Sequence, residues 1–101
     1  MRAQHPADGG PVRITVVESE ACHFCDDARR VLAALSASYP LAVERLDVRS
    51  AEGGRLMGEH RATMSPLVLV DGVFFSNGRL PRRKLGRLLD SRYVADPGRV
   101  R

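Results

Sequence analysis

The chain contains no tryptophan, only two tyrosines and three phenylalanines, and only two cysteines. With so few aromatics (Phe24, Tyr39, Phe74, Phe75, Tyr93) it has little to stack on nucleobases, and it carries no recognised nucleic-acid motif, so no nucleic-acid partner is expected. Lysine is almost missing. Lys84 stands alone against fifteen arginines, and the net charge of +4 is too modest to imply a polyanionic partner by itself. No apolar run approaches the ~20 residues that span a bilayer, so no membrane association is expected. Residues 1–11 lack the apolar stretch of a secretory signal, which leads us to expect a cytoplasmic protein. In that compartment two close cysteines point to catalysis or metal binding rather than to a structural staple.

The two cysteines that are present lie two residues apart, in Ser19-Glu20-Ala21-Cys22-His23-Phe24-Cys25-Asp26. A valine-rich run precedes them and a helical pattern follows. A C-x-x-C at a strand-to-helix junction is the arrangement of dithiol–disulfide exchange: the first sulfur sits near free backbone N–H groups, and the second lies one turn on, within bonding reach. Structural zinc needs four ligands. Cys22 and Cys25 supply two, but no second close pair exists: His5 falls in the N-terminal arm and His60 follows a glycine-weakened helix. No metal is expected.

The chain reads as one domain, 12–90, between a flexible arm (1–11) and a C-terminal tail (91–101). Val12 to Val17 is β-branched and short, a buried strand. From about His23 to Ser38 a helix is expected, with Ala28, Val31, Leu32 and Leu35 on one face and Asp26 and Asp27 in the first turn. Tyr39-Pro40 ends it. Leu41 to Val48 reads as a second strand. Ala51 to Arg61 is a weaker helix, because Gly53, Gly54 and Gly58 cost stability there. Leu67–Val70 and Val73–Phe75, joined by Asp71-Gly72, form a hairpin. Pro81 to Ser91 is a final helix with Leu85, Leu88 and Leu89 on one face. Arg79, Arg82, Arg83, Lys84 and Arg87 surround that helix as a solvated basic face, or as a place to capture carboxylates. The order β-α-β-α-β-β-α joins a parallel βαβ unit to an antiparallel hairpin and a helix. It gives an α/β fold in which a four-stranded mixed sheet is flanked by helices.

With Cys22-His23-Phe24-Cys25 after the first strand, Met64-Ser65-Pro66 before the third, and the Asp71-Gly72 hairpin with its last helix, the chain resembles thioredoxin-fold proteins. Within them it is most similar to glutaredoxins, over roughly residues 12–90. The resemblance implies that Pro66 follows a cis bond and faces the dithiol, that Cys22 is the exposed nucleophile, and that Cys25 resolves the mixed disulfide. It also implies that the main chain of Ser65 offers its N–H and C=O to an extended substrate segment, so that Ser65 and Pro66, with His23 and Phe24, bind substrate. Three residue patterns differ from glutaredoxins. His23-Phe24 replaces the usual Pro-Tyr, Glu20-Ala21 stands where a lysine is common, and Ser76-Asn77-Gly78-Arg79-Leu80 replaces the glutathione-binding Gly-Gly-x-Asp-Asp. The resemblance therefore carries the fold and not glutathione.

The activity implied is thiol–disulfide oxidoreduction, acting on a disulfide-bearing protein or a low-molecular-weight thiol adduct. A thiol or a flavoprotein would serve as reductant, no cofactor would be needed, and the working unit would be a monomer. A protonated or hydrogen-bonded His23 beside the Cys22 sulfur would stabilise its thiolate and make the couple more oxidising, whereas Asp26 and Asp27 would act in the opposite sense. The alternatives are a non-enzymatic redox switch or partner-binding module and, further off, an iron–sulfur cluster carrier. Cys25 and the absent glutathione contacts argue against the last.

Overall fold

Val12–Glu18 (β1) is a central strand of the molecule, with Val12, Ile14 and Val17 fully buried. A computed structural model describes residues 10–94 of the chain. Three further strands, Leu41–Asp47 (β2), Leu67–Val70 (β3) and Val73–Asn77 (β4), join β1 in one sheet of order β2-β1-β3-β4. β1 runs parallel to β2 and antiparallel to β3, and β3 is antiparallel to β4. Helices His23–Ser36 (α1), Ala51–Glu59 (α2) and Arg82–Val94 (α3) complete the order β-α-β-α-β-β-α, as the sequence pattern leads one to expect.

Strand alternation splits the core in two. Ile14, Val16, Val68 and Val70 face Ala28, Val31 and Leu32 of α1 and Leu85 and Leu89 of α3. Val17, Leu67 and Leu69 pack on the other side with Leu56 of α2. The sheet is thus a middle layer, and burial on both faces accounts for the unbroken apolar run of β3.

Several boundaries differ from expectation, each for a local reason. α1 stops at Ser36, not Ser38: the N–H groups of Ala37 and Ser38 turn back to the carbonyls of Ala34 and Leu35, tightening the last turn ahead of Pro40. β2 ends at Asp47, one residue early. α2 ends at Glu59, not Arg61, because the chain leaves it through a Schellman motif. Arg61 takes φ 53°, its N–H bonds to the Gly58 carbonyl, and the Ala62 N–H bonds to that of Met57. Gly53, read from sequence as a weakness, is required where it stands, since a Cβ there would run into the Asp47 carbonyl. β4 extends through Ser76 and Asn77. A register shift between Val68 and Leu69 pairs Leu69 with Phe74 and Val68 with Ser76, leaving Phe75 as the extra residue of a bulge.

The C-terminal boundary moves furthest. α3 begins at Arg82, with Pro81 accepting the Leu85 N–H at 3.0 Å, and runs on to Val94. Residues 91–94 therefore belong to a helix and not to the expected tail. Tyr93 is 6% exposed within the core, and its hydroxyl donates to the Pro40 carbonyl at 3.0 Å. Residues 95–101, and all but Gly10 and Pro11 of the expected arm, lie outside the described residues. At the hairpin, Asp71 (φ 50°) and Gly72 (φ 84°) both take positive φ, the requirement of a type I′ turn.

Candidate functional site

Where β1 gives way to α1, Cys22 adopts an extended conformation (φ −117°, ψ 107°) and caps the helix. Its sulfur accepts the Cys25 N–H at 3.1 Å, so a cysteine sulfur fills the place usually taken by a serine or aspartate oxygen. Cys22 and Cys25 are disulfide-bonded, with Cα atoms 5.1 Å apart. Their environments differ: Cys22 is partly exposed, whereas Cys25 is 2% exposed on the core face of α1. Ala21, directly before Cys22, is held at φ 49°, a left-handed conformation that a residue with a Cβ adopts at a cost of roughly 1–2 kcal/mol.

The opposite wall is the segment entering β3. The Ser65–Pro66 bond is cis, and Pro66 is buried. The Ser65 carbonyl oxygen lies 3.7 Å from the Cys22 sulfur and its Oγ 3.6 Å away. Antiparallel pairing of Val17 with Leu67 brings these strand ends together, so continuing the register outward places Ser19 opposite Ser65. Their hydroxyl oxygens are 2.7 Å apart. Met64, 48% exposed, adds an apolar side chain beside this wall and packs near Gly78, where a Cβ would stand 3.3 Å from the Met64 sulfur.

Of the expected site residues, Cys22, Cys25, Ser65 and Pro66 come together. Phe24 is half-buried one residue along, with the Arg79 guanidinium 5.7 Å over its ring, a cation–π arrangement. His23 is exposed and makes no hydrogen bond or ion pair among the described residues. Within the basic cluster, Lys84 lies over the Phe75 ring at 5.3 Å, so Arg79 and Lys84 both spend their cations on aromatic faces. No group of three or more histidine, cysteine, aspartate or glutamate side chains among the described residues is arranged to hold a metal ion. His60 lies beside Phe74, ring centroids 6.3 Å apart.

Ser19 was not singled out by sequence, since nothing in its local pattern points across 46 residues to Ser65. Glu18 was missed as well. Its carboxylate is 11% exposed at the end of β1 and is clamped by Arg29 from α1 at 2.8 and 3.3 Å, with Arg45 of β2 3.6 Å away. The ion pair ties the middle of α1 to the strand that delivers Cys22. It also pushes the Arg29 guanidinium further up from its ordinary range, chiefly through the hydrogen bond to Glu18.

No family model matches the chain, and no curated protein matches it by sequence. Solved structures do. The chain is similar to an uncharacterized thioredoxin-like protein from Clostridium perfringens (TM-score 0.63, 14% identity, covering 91% of this chain and 79% of that one). It is similar also to oxidized thioredoxin O2 from Arabidopsis thaliana (0.62, 18%, covering 85% and 78%). Oxidized mitochondrial thioredoxin 3 from Saccharomyces cerevisiae gives 0.60 at 18%, covering 84% and 82%. At these identities the likeness establishes the fold, which is thioredoxin-like.

Proposed function

On a thioredoxin-like fold with Cys22 and Cys25 at its first helix, we propose that this protein is a dithiol thiol–disulfide oxidoreductase. The observation that carries the reading is the asymmetry of the pair: one sulfur caps the helix and is partly exposed, while its bonded partner is buried one turn deeper. In the reduced protein the Cys22 thiolate attacks one sulfur of a substrate disulfide and expels the other as thiolate, leaving a mixed disulfide. Cys25, once deprotonated, attacks the Cys22 sulfur and releases the second substrate thiolate. The Cys22–Cys25 disulfide remains, and two electrons have passed to the substrate. The second attack is intramolecular and gains from high effective concentration.

The substrate lies along the Met64–Pro66 wall, with the Ser65 main chain beside the sulfur as a strand-like partner. Substrates of this reading are disulfide-bearing proteins or small thiol adducts, and an external thiol or flavoprotein returns the enzyme to its dithiol form. The glutaredoxin-like version rests on the Cys-His-Phe-Cys, Met-Ser-Pro and Asp-Gly hairpin pattern. Arg79-Leu80 in place of an acidic pair leaves the small-thiol partner open to a reductant other than glutathione.

The test is equilibration in thiol–disulfide buffers of known poise, followed by turnover of a model protein disulfide. A reversible two-electron couple between roughly −280 and −120 mV places the pair among exchange catalysts. Cys22→Ser abolishes turnover, and Cys25→Ser accumulates the mixed disulfide. A couple outside that range, or turnover that survives Cys22→Ser, overturns the proposal.

A further inference from the structure

Besides its bond to the Cys25 sulfur, the Cys22 sulfur makes polar contacts of two kinds among the described residues. One is the Cys25 N–H at 3.1 Å; the other is Ser65, through its Oγ at 3.6 Å and its carbonyl oxygen at 3.7 Å. The Ser65 hydroxyl is the adjustable one. A hydroxyl carries one proton and two lone pairs, and it rotates to suit its surroundings. Ser65 Oγ is shared between the sulfur and Ser19 Oγ, 2.7 Å away, so its proton has two destinations. If Ser65 donates to Ser19, it turns lone pairs toward the sulfur and opposes negative charge there. If Ser19 donates to Ser65, the Ser65 proton is free for the sulfur.

We propose that Ser19 is a positioning residue for the nucleophile: its hydroxyl donates to Ser65 Oγ and so directs the Ser65 proton onto the Cys22 sulfur once that sulfur is a thiolate. The assignment rests on the thiol–disulfide reading above and deepens it. Ionisation sends the thiol proton to bulk water and leaves an anion, which selects the donating rotor of Ser65. Ser19 then supplies the hydrogen bond that Ser65 oxygen accepts. Bonds to a charged acceptor are stronger than neutral ones, and a donor that is itself an acceptor is polarised by the second bond. Both serines are partly buried, which limits competition from solvent.

Other charges bear on the same sulfur. Glu20, His23, Asp26 and Asp27 come from its own segment, and Arg79 from the connection after β4. Glu20 is engaged by Arg49 at 3.2 Å, and Arg79 lies over Phe24. None of them is altered by removing a serine hydroxyl, so substitution at Ser19 isolates the relay.

The experiment follows alkylation of the reduced full-length chain by iodoacetamide against pH, with the modified cysteine identified by peptide mass; buried Cys25 serves as the unreactive internal reference. Ser65→Ala should raise the pH midpoint for Cys22 by about one unit, a tenfold loss of thiolate at a given pH below it. Ser19→Ala should raise it by roughly a third to a half of a unit, the scale of one polarising bond. The double variant should match Ser65→Ala alone, and Ser19→Thr, which keeps the hydroxyl, should restore the native midpoint. Thermal unfolding of each variant checks folding; should Ser19→Ala fail to fold, Ser19→Gly removes the same hydroxyl and carries the same expectation. An unchanged midpoint in Ser19→Ala, or shifts that simply add in the double variant, overturns the assignment. Alkylation needs no disulfide substrate, so this outcome is independent of turnover: the relay can fail with exchange intact, and exchange can fail with the relay intact.

Discussion

The main-chain N–H of Cys25 points at the sulfur of Cys22, 3.1 Å away, so the first cysteine is both the cap of α1 and the exposed end of the redox pair. An anionic sulfur at that position gains a charge-assisted hydrogen bond and the positive end of the helix dipole. In the reduced protein, alkylation of Cys22 should therefore show a pH midpoint clearly below about 8.5, the value of a free cysteine. A midpoint at or above that value would remove helix capping as a source of reactivity.

Besides Asp71 in the hairpin turn, two residues with side chains sit in left-handed conformations that glycine takes without penalty, Ala21 (φ 49°) and Arg61 (φ 53°). Replacing either by glycine relieves about 1–2 kcal/mol of local strain against ~0.4–1 kcal/mol of added unfolded-state entropy. Each variant should raise the urea midpoint by the equivalent of about 0.5–1 kcal/mol with an unchanged m-value. Arg61→Gly, at the end of α2, should leave Cys22 alkylation untouched. Ala21→Gly tests whether the strain before the nucleophile matters to its reactivity.

Tyr39 donates its hydroxyl proton to the Asp90 carboxylate, and that hydrogen bond, with desolvation and the negative charge of Asp90, raises the pKa of Tyr39 above its ordinary 10.0. For a group whose folded pKa is raised, the linked stability is fully present below the unfolded value and is lost as pH climbs through the folded one. Thermal unfolding of the native protein should fall more steeply above pH ~10 than that of Tyr39→Phe, which lacks the ionising group. Parallel curves would show that this bond contributes nothing to stability.

Tyr93 stacks on Tyr39, with ring centroids 5.9 Å apart, and closes the core between α3 and the start of β2. Tyr93→Ala should cost about 3–5 kcal/mol, as large aromatic truncations in cores do. Tyr93→Phe should cost only about 1 kcal/mol, the loss of one hydrogen bond. Chemical denaturation separates the two, and a small effect in Tyr93→Ala would mean that the domain ends before residue 93.

What the sequence determined by itself is whatever depends on neighbours in the chain. The spacing of Cys22 and Cys25, the β-branched run of β1, the apolar stripe of α1 and the Asp71-Gly72 turn each carry a local signal, because helix periodicity, strand propensity and turn chemistry act over a few residues. The order of elements followed from them. Where helices end was less legible: Arg61 stops α2 without a glycine, and Tyr93 read as part of the tail because the Pro40 carbonyl that its hydroxyl meets lies far off in the sequence.

Tertiary structure alone decided what stands behind the sulfur's immediate partners. Ser19 meets Ser65 because β1 and β3 pair antiparallel in one particular register, and a slip of one residue would turn either side chain to the other face. Glu18 finds Arg29 and Arg45 because strand and helix converge at the same end of the sheet. Gly53 became a requirement only when Asp47 approached it. These relations join residues far apart in sequence, and the free energy that selects them comes from burying the whole sheet between its helices, so no short segment of the chain carries their signal.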